Sequence, residues 1–257
     1  MIGQYLIIFV AAFLAGGLNG IAGGGSFILF PALMFIGIPP IAANATNSIS
    51  LLPGTLASAG AYRSEFAKDK RLLIQICVLG AIGGLAGAIL LLKTPPVVFL
   101  RILPYLLLIA TLAFAFSKKL TVWVEKQQER FARLKSLRSV LITILQLVVA
   151  VYGGFFGGGM GILFLASFAL MGMTNIHRMN AYKTMLTSCI NAITVLPFVI
   201  AGAIFWKEGA ISAIGAAIGG YISAHYAQKI APILVRRFVI GVGSAMTLYF
   251  FVKSWLG

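Results

Sequence analysis

Residues 19–30 read Asn-Gly-Ile-Ala-Gly-Gly-Gly-Ser-Phe-Ile-Leu-Phe, three consecutive glycines set inside an apolar run. Glycine is about 1 kcal/mol worse than alanine in a helix interior, so Gly23–Gly25 mark a place where a helix stops. Residues 153–164, Gly-Gly-Phe-Phe-Gly-Gly-Gly-Met-Gly-Ile-Leu-Phe, carry the same device at Gly157–Gly159. The fold turns on this pair of breaks.

Around them the chain is strongly apolar. Of its 257 residues 60% are hydrophobic and 10% charged, and the mean hydropathy is +1.02. A soluble domain carries about 25% charged residues, and a membrane span needs about 20 mainly apolar ones. Several segments reach that length, which predicts an all-α polytopic membrane protein. The start, Met-Ile-Gly-Gln-Tyr-Leu-Ile-Ile-Phe, lacks a basic region and a clear cleavage site, so it reads as the first membrane segment. Cys77 and Cys189, each in an apolar stretch, read as buried small hydrophobes and offer neither a disulfide framework nor a metal site.

Self-comparison extends the match. Asn44-Ala-Thr-Asn-Ser48 aligns with Asn180-Ala-Tyr-Lys-Thr184, Ala81-Ile-Gly-Gly84 with Ala217-Ile-Gly-Gly220, and Lys93, Pro96 and Arg101 with Lys229, Pro232 and Arg237. Gly37 and Gly172 follow their triple glycines at nearly equal distances, and every offset lies between 134 and 136. Five matches in one order indicate a duplication: a first membrane repeat at 1–117, a basic linker at 118–138 and a second repeat at 139–257. Each repeat holds five apolar segments, near 2–21, 26–37, 44–61, 72–92 and 97–116, then 139–156, 160–172, 181–204, 209–227 and 236–255. The second segment of each, at 1.5 Å per residue, reaches only ~18–20 Å against a core of about 30 Å. It is expected to be a broken or re-entrant element opened by its glycines.

The formal charge of +15 arises from position. Four Lys and Arg fall in 63–71 and seven in 118–138, the pattern of cytoplasmic loops in a cytoplasmic (inner) membrane. The amphipathic 118–138 stretch is expected on the inner surface, near anionic lipid. Nucleic acid is not an expected partner. An inverted arrangement puts fourteen basic residues inside and four outside, and a parallel one thirteen and five. Inverted repeats are the preferred reading, since many transporter folds use them.

Non-helical backbone at membrane depth is tolerated only where protein buries it or it lines a wet cavity. Glycine amides can form an anion-holding nest, and a short helix points its positive end back at the break. Asn19, Gly23, Gly24, Gly25 and Ser26, with Gly157, Gly158 and Gly159, are therefore candidate binding residues. The plain alternative is close helix packing, which is the reading given to Gly80, Gly84, Gly215 and Gly219. A second candidate group is Asn44, Thr46 and Asn47 with Arg178, Asn180, Lys183 and Thr184, which supply amide, hydroxyl and cationic donors. Lys183 stands where the first repeat has Asn47; its alternative is a lysine snorkelling from a helix end. His177 and Arg178 lie just before it, and Arg178 reads first as a loop charge. His225 reads as a packing residue.

All five acids, Glu65, Asp69, Glu125, Glu129 and Glu208, sit in loops or at segment ends. Proton-coupled carriers usually keep a carboxylate or histidine in the membrane, so the composition favours an anion over a cation. No nucleophile elbow, zinc-protease motif or phosphate loop occurs, and no enzyme, cofactor or metal site is expected.

Gly16–Leu33, with its Gly-Ile-Ala-Gly-Gly-Gly-Ser-Phe-Ile-Leu-Phe-Pro core, the Gly-Ile-Pro-Pro…Ala-Asn-Ala-Thr-Asn-Ser continuation and the His-Arg-Met-Asn-Ala-Tyr-Lys-Thr of the second repeat resemble the TauE/SafE family. The resemblance covers essentially the whole chain. It implies a multi-pass transporter, an exporter of sulfite, sulfonates, sulfoacetate or related small anions. The residues alone reach a small anion; the resemblance adds sulfur. Alternating access between the repeats is the expected mechanism. A passive anion channel or uniporter, an uptake permease and a non-transporting scaffold remain as alternatives, and a homodimer is compatible with the sequence.

Overall fold

The computed structural model describes residues 2–21, 23–61, 69–132, 135–226 and 232–256, with side chains left out at 21, 61, 114, 117–132, 135–139, 224–226, 232–236, 238, 239 and 253–256. The loop at 62–68, Lys229 and the side chains of His225 and of most of 118–138 thus lie outside the described residues.

The described backbone folds into helices α1 (Ile2–Ile21), α2 (Ser26–Phe35), α3 (Pro40–Ala61), α4 (Lys70–Lys93), α5 (Pro96–Ala132), α6 (Lys135–Phe155), α7 (Met160–Leu170), α8 (Ile176–Ile200), α9 (Trp206–Tyr226) and α10 (Pro232–Leu256). Four stretches, Ile2–Gly20, Lys70–Lys93, Pro96–Ala113 and Ile176–Ile200, are long and apolar enough to cross a membrane. The outward faces suit lipid. Ile74, Val78, Ile82 and Leu90 of α4 and Val140, Leu141, Ile144 and Val148 of α6 are all exposed. So much apolar surface is rare on a soluble monomer.

The short helices have defined ends. After α2 and α7, Gly37 (φ 97°) and Gly172 (φ 91°) adopt the left-handed conformation. There the Gly37 amide donates to Met34 O and the Ile38 amide to Leu33 O, and the Gly172 and Met173 amides donate in the same way to Ala169 O and Phe168 O. This double closure satisfies carbonyls that would otherwise be orphaned. It holds α2 to 10 residues and α7 to 11.

Two boundaries differ from the sequence expectation. α3 begins four residues earlier, at Pro40, because a proline fits the first helical position where no amide is needed. α8 begins at Ile176, where the Asn175 side chain accepts from the amides of His177 and Arg178 at 2.9 and 3.1 Å. Asn44, Asn180 and Lys183 therefore stand inside helices and not at their starts. The expected linker is helical too: α5 runs on to Ala132 and α6 starts at Lys135.

Helices exchange across the chain. α9 packs along α1 and α3, while α4 packs along α6 and α8; α5 meets α10, and α3 meets α8. Missing side chains make these seams close. A Cβ on Gly219 would collide with Phe13 O, and one on Gly16 with Ala216 O, between α1 and α9. Likewise Gly87 abuts Val151 O and Gly154 abuts Gly84 O, between α4 and α6. Gly80 and Gly84 face Leu186 and Ile190 of α8, in keeping with a packing role. Cys77 and Cys189 are free and half-buried.

Candidate functional site

The two glycine breaks meet. Gly23 (φ 81°) and Gly157 (φ 77°) are both left-handed, a conformation open to glycine at little cost. A Cβ on Gly23 would stand 3.1 Å from Cα of Gly161, in the first turn of α7. The stem of Lys183 lies over the same residue: a Cβ on Gly161 would stand 3.2 Å from Lys183 Cδ.

At this junction Asn19, Gly23, Ser26, Leu51, Thr55, Gly157, Met160, Lys183, Thr187 and Asn191 line a cavity of about 20 Å³. That is room for a water-sized group. Both short helices begin at its wall, with Ser26 opening α2 and Met160 opening α7. The positive ends of their dipoles lie there.

Lys183 is the charged group of this cavity. It is 1% exposed, and its Nζ has no hydrogen-bond partner. Neither acid whose side chain is described, Asp69 or Glu208, is buried, and the Asp69 side chain, 41% exposed, is paired with Arg178. A buried ammonium without a counter-charge costs several kcal/mol. Lys183 lies two turns into α8, so it is no snorkelling end residue.

Hydrogen bonds fix which polar groups remain for a ligand. Asn19 Oδ1 accepts from the Gly25 amide at 2.8 Å, which leaves its side-chain NH₂ as a donor. Ser26 Oγ accepts from Asn47 Nδ2 at 3.1 Å, which leaves its own proton. The amides of Gly23, Gly25 and Gly157 already donate, to Leu18 O, Asn19 Oδ1 and Tyr152 O. Gly23 and Gly157 line the cavity beside these side chains.

The remaining candidates lie around this centre. Gly24 and Gly158 contribute carbonyls to the breaks, Gly158 O accepting from the Tyr152 hydroxyl at 2.6 Å and Gly24 O from the Phe27 amide at 3.1 Å. Gly159 is the left-handed residue before α7. Asn44 Nδ2 donates to Phe155 O at 3.0 Å, tying α3 to the end of α6, and Thr46 Oγ1 accepts from the Phe205 amide at 3.0 Å. Thr184 Oγ1 donates to Asn180 O at 2.7 Å, and Asn180 Oδ1 is buried without a partner. Arg178 stands apart, 3.6 Å from the Asp69 carboxylate and 5.5 Å from the Tyr182 ring.

Leu51, Thr55, Met160, Gly161, Thr187 and Asn191 were not singled out by sequence reading. A signal existed. Asn47, Leu51 and Thr55, and Lys183, Thr187 and Asn191, recur every four residues along one face of α3 and of α8. The two stripes are related by the same 136-residue offset.

A helical protein with long apolar helices and an apolar outer face has the build of a polytopic membrane protein. The family model described as Sulfite exporter TauE/SafE matches residues 8–250, and the chain belongs to that family. It is similar to the probable membrane transporter protein ORF9 of Sinorhizobium sp, 27% identical over 97% of this chain and 95% of that one. It is 29% identical to a probable membrane transporter protein of Haemophilus influenzae, over 94% and 92% of the two chains. The probable membrane transporter protein YfcA of Escherichia coli is 26% identical over 98% and 93%. No solved structure matches the chain.

Proposed function

We propose that this protein exports a small sulfur-containing oxyanion, of the sulfite or sulfonate type, across the cytoplasmic membrane. One observation carries the reading: the buried, unpartnered Lys183 Nζ in a cavity that also presents the Asn19 amide and the Ser26 hydroxyl. An anion there cancels the charge and uses the donors; a metal cation would meet repulsion. The sulfur head group and the outward direction come from the family description.

In this reading the chain is two inverted repeats, 1–117 and 139–257, joined on the cytoplasmic side by 118–138. The matched left-handed glycines, the matched cavity stripes and the reciprocal packing of α1 with α9 and of α6 with α4 support it. Alternating access then moves interlocked bodies. α9 travels with α1 and α3, and α4 with α6 and α8, so the moving units are not the two sequence halves.

Purified protein is tested with sulfite, sulfate, sulfoacetate, taurine and an aromatic sulfonate. A ligand that binds only the folded form raises the melting temperature, and a sulfur anion is expected to lead the ranking and to exchange across proteoliposomes. If another small anion leads, the sulfur assignment falls; if no anion shifts melting or exchanges, the transport reading falls.

A further inference from the structure

Lys183 alone among the ten residues lining the cavity carries a charge. α1, α2, α3 and α7, which supply most of the others, contain no Lys, Arg, His, Asp or Glu. The other titratable groups of α8 are engaged or remote. His177 is exposed, Arg178 is paired with Asp69, the Tyr182 hydroxyl donates to Asp69 O at 3.1 Å, and Cys189 lies against Cys77 of α4. On the helices packed against α8, Lys70, Arg71 and Lys93 of α4 and Lys135 and Arg138 of α6 stand in first or last turns. The Tyr152 hydroxyl of α6 donates to Gly158 O.

Helix dipoles leave this count unchanged. Each break sets the C-terminal end of one helix, α1 or α6, against the N-terminal end of the next, α2 or α7. An end carries about half a charge, negative at the C-terminus and positive at the N-terminus, so each break sums to nearly zero. The fixed charge at the cavity is that of one ammonium.

A monoanion beside Lys183 makes the interior neutral. A dianion leaves one negative charge away from water without a counter-charge, which burial penalises heavily. The lining hydroxyls offset little of that. Those of Thr55 and Thr187 donate to Leu52 O and Thr184 O, at 2.9 and 3.0 Å, so their oxygens are left as acceptors. An anion that keeps one acidic hydrogen can donate to such an oxygen; a fully ionised one cannot. The charge balance does not depend on the width of the cavity, because it counts only the groups the helices bring to it.

We propose that this site selects its substrate by ionic form: it binds hydrogen sulfite, with one negative charge, and rejects the sulfite and sulfate dianions. The inference rests on the anion site proposed above and fixes the charge of its substrate. A proton then crosses on each hydrogen sulfite, so no carboxylate within the helices is needed to carry it.

The test uses the full-length purified protein, with affinities read by melting shift and competition at a series of pH values on both sides of neutrality, where the second ionisation of the acid falls. Above that ionisation, affinity for total sulfite should drop by about tenfold per pH unit, the slope of one bound proton. Methanesulfonate and nitrate are monoanions throughout and should bind equally at every pH; sulfate, a dianion throughout, should bind more weakly than either. Sulfite affinity that holds or rises with pH overturns the selection, as does sulfate binding as tightly as the monoanions. A parallel fall for sulfite and the monoanions puts the titration on the protein and also overturns it, and so does sulfite binding when neither monoanion binds. Each of these results leaves the anion site standing. Binding of none of the four ions at any pH overturns both.

Discussion

Gly23 and Gly161 touch backbone to backbone: a Cβ on Gly23 would stand 3.1 Å from Cα of Gly161. This contact joins the first break to the first turn of α7, directly beneath the stem of Lys183. Gly23→Ala should cost about 1–2 kcal/mol for the left-handed backbone alone, with a further loss from the close approach. The expected outcome is a lower melting temperature and no transport. Gly241→Ala, inside α10 where a Cβ meets open space, should hold or raise the melting temperature, since alanine is the better helix former, and serves as the control in the same assay.

Lys183→Met removes an unpartnered buried charge and keeps the apolar stem over Gly161. Stability should hold or rise, while anion affinity falls by about 100-fold, since the binding partner of a buried charge is lost. Parallel melting and ligand-binding curves check both halves of this statement. A folded variant that binds as well as wild type removes Lys183 from the site.

Asn44→Ala deletes the bond to Phe155 O and leaves that buried carbonyl without its cross-chain donor. A loss of about 1–3 kcal/mol is expected, read as a drop in the denaturation midpoint. Ligand affinity should change far less than in Lys183→Met, because Asn44 holds the frame of the second break and does not line the cavity.

Arg178→Gln separates loop electrostatics from binding. Its pair with Asp69 is partly exposed, with side-chain exposures of 32% and 41%, and pairs of this kind contribute under about 1 kcal/mol. Affinity for the leading anion should stay within twofold of wild type, about 0.4 kcal/mol on the same scale. A large loss would bring Arg178 into the substrate path.

Exchange of α4 and α9 predicts that neither half folds alone. Fragments 1–117 and 139–257 expressed separately should be degraded or aggregate, because α4 lacks α6 and α9 lacks α1. Co-expression should restore a protein with ligand-dependent melting. A first fragment that is stable by itself would contradict the packing of α4 on α6 and α8.

Much of this molecule was legible in its residues. Apolar run lengths placed the helices, since burial of backbone amides in lipid leaves few other structures. The glycines at 23, 37, 157, 159 and 172 marked the ends of the short helices, since left-handed positions are costly for other residues. Lys183 stood out as a cation replacing Asn47 in an internal match. Those are local properties, written in the residues themselves.

Tertiary structure decided the rest. That Lys183 has no partner, that Asn19 and Asn47 fix the roles of Gly25 and Ser26, and that Leu51 faces the same cavity all depend on helices distant in sequence. The helix exchange depends on small-residue seams such as Gly219 on Phe13 and Gly87 on Val151. A glycine in a span announces that some backbone can come close; only the packed fold settles which one. The glycine runs located the two breaks, and their meeting under one lysine is a consequence of packing, where contact energies between remote segments outweigh any local preference.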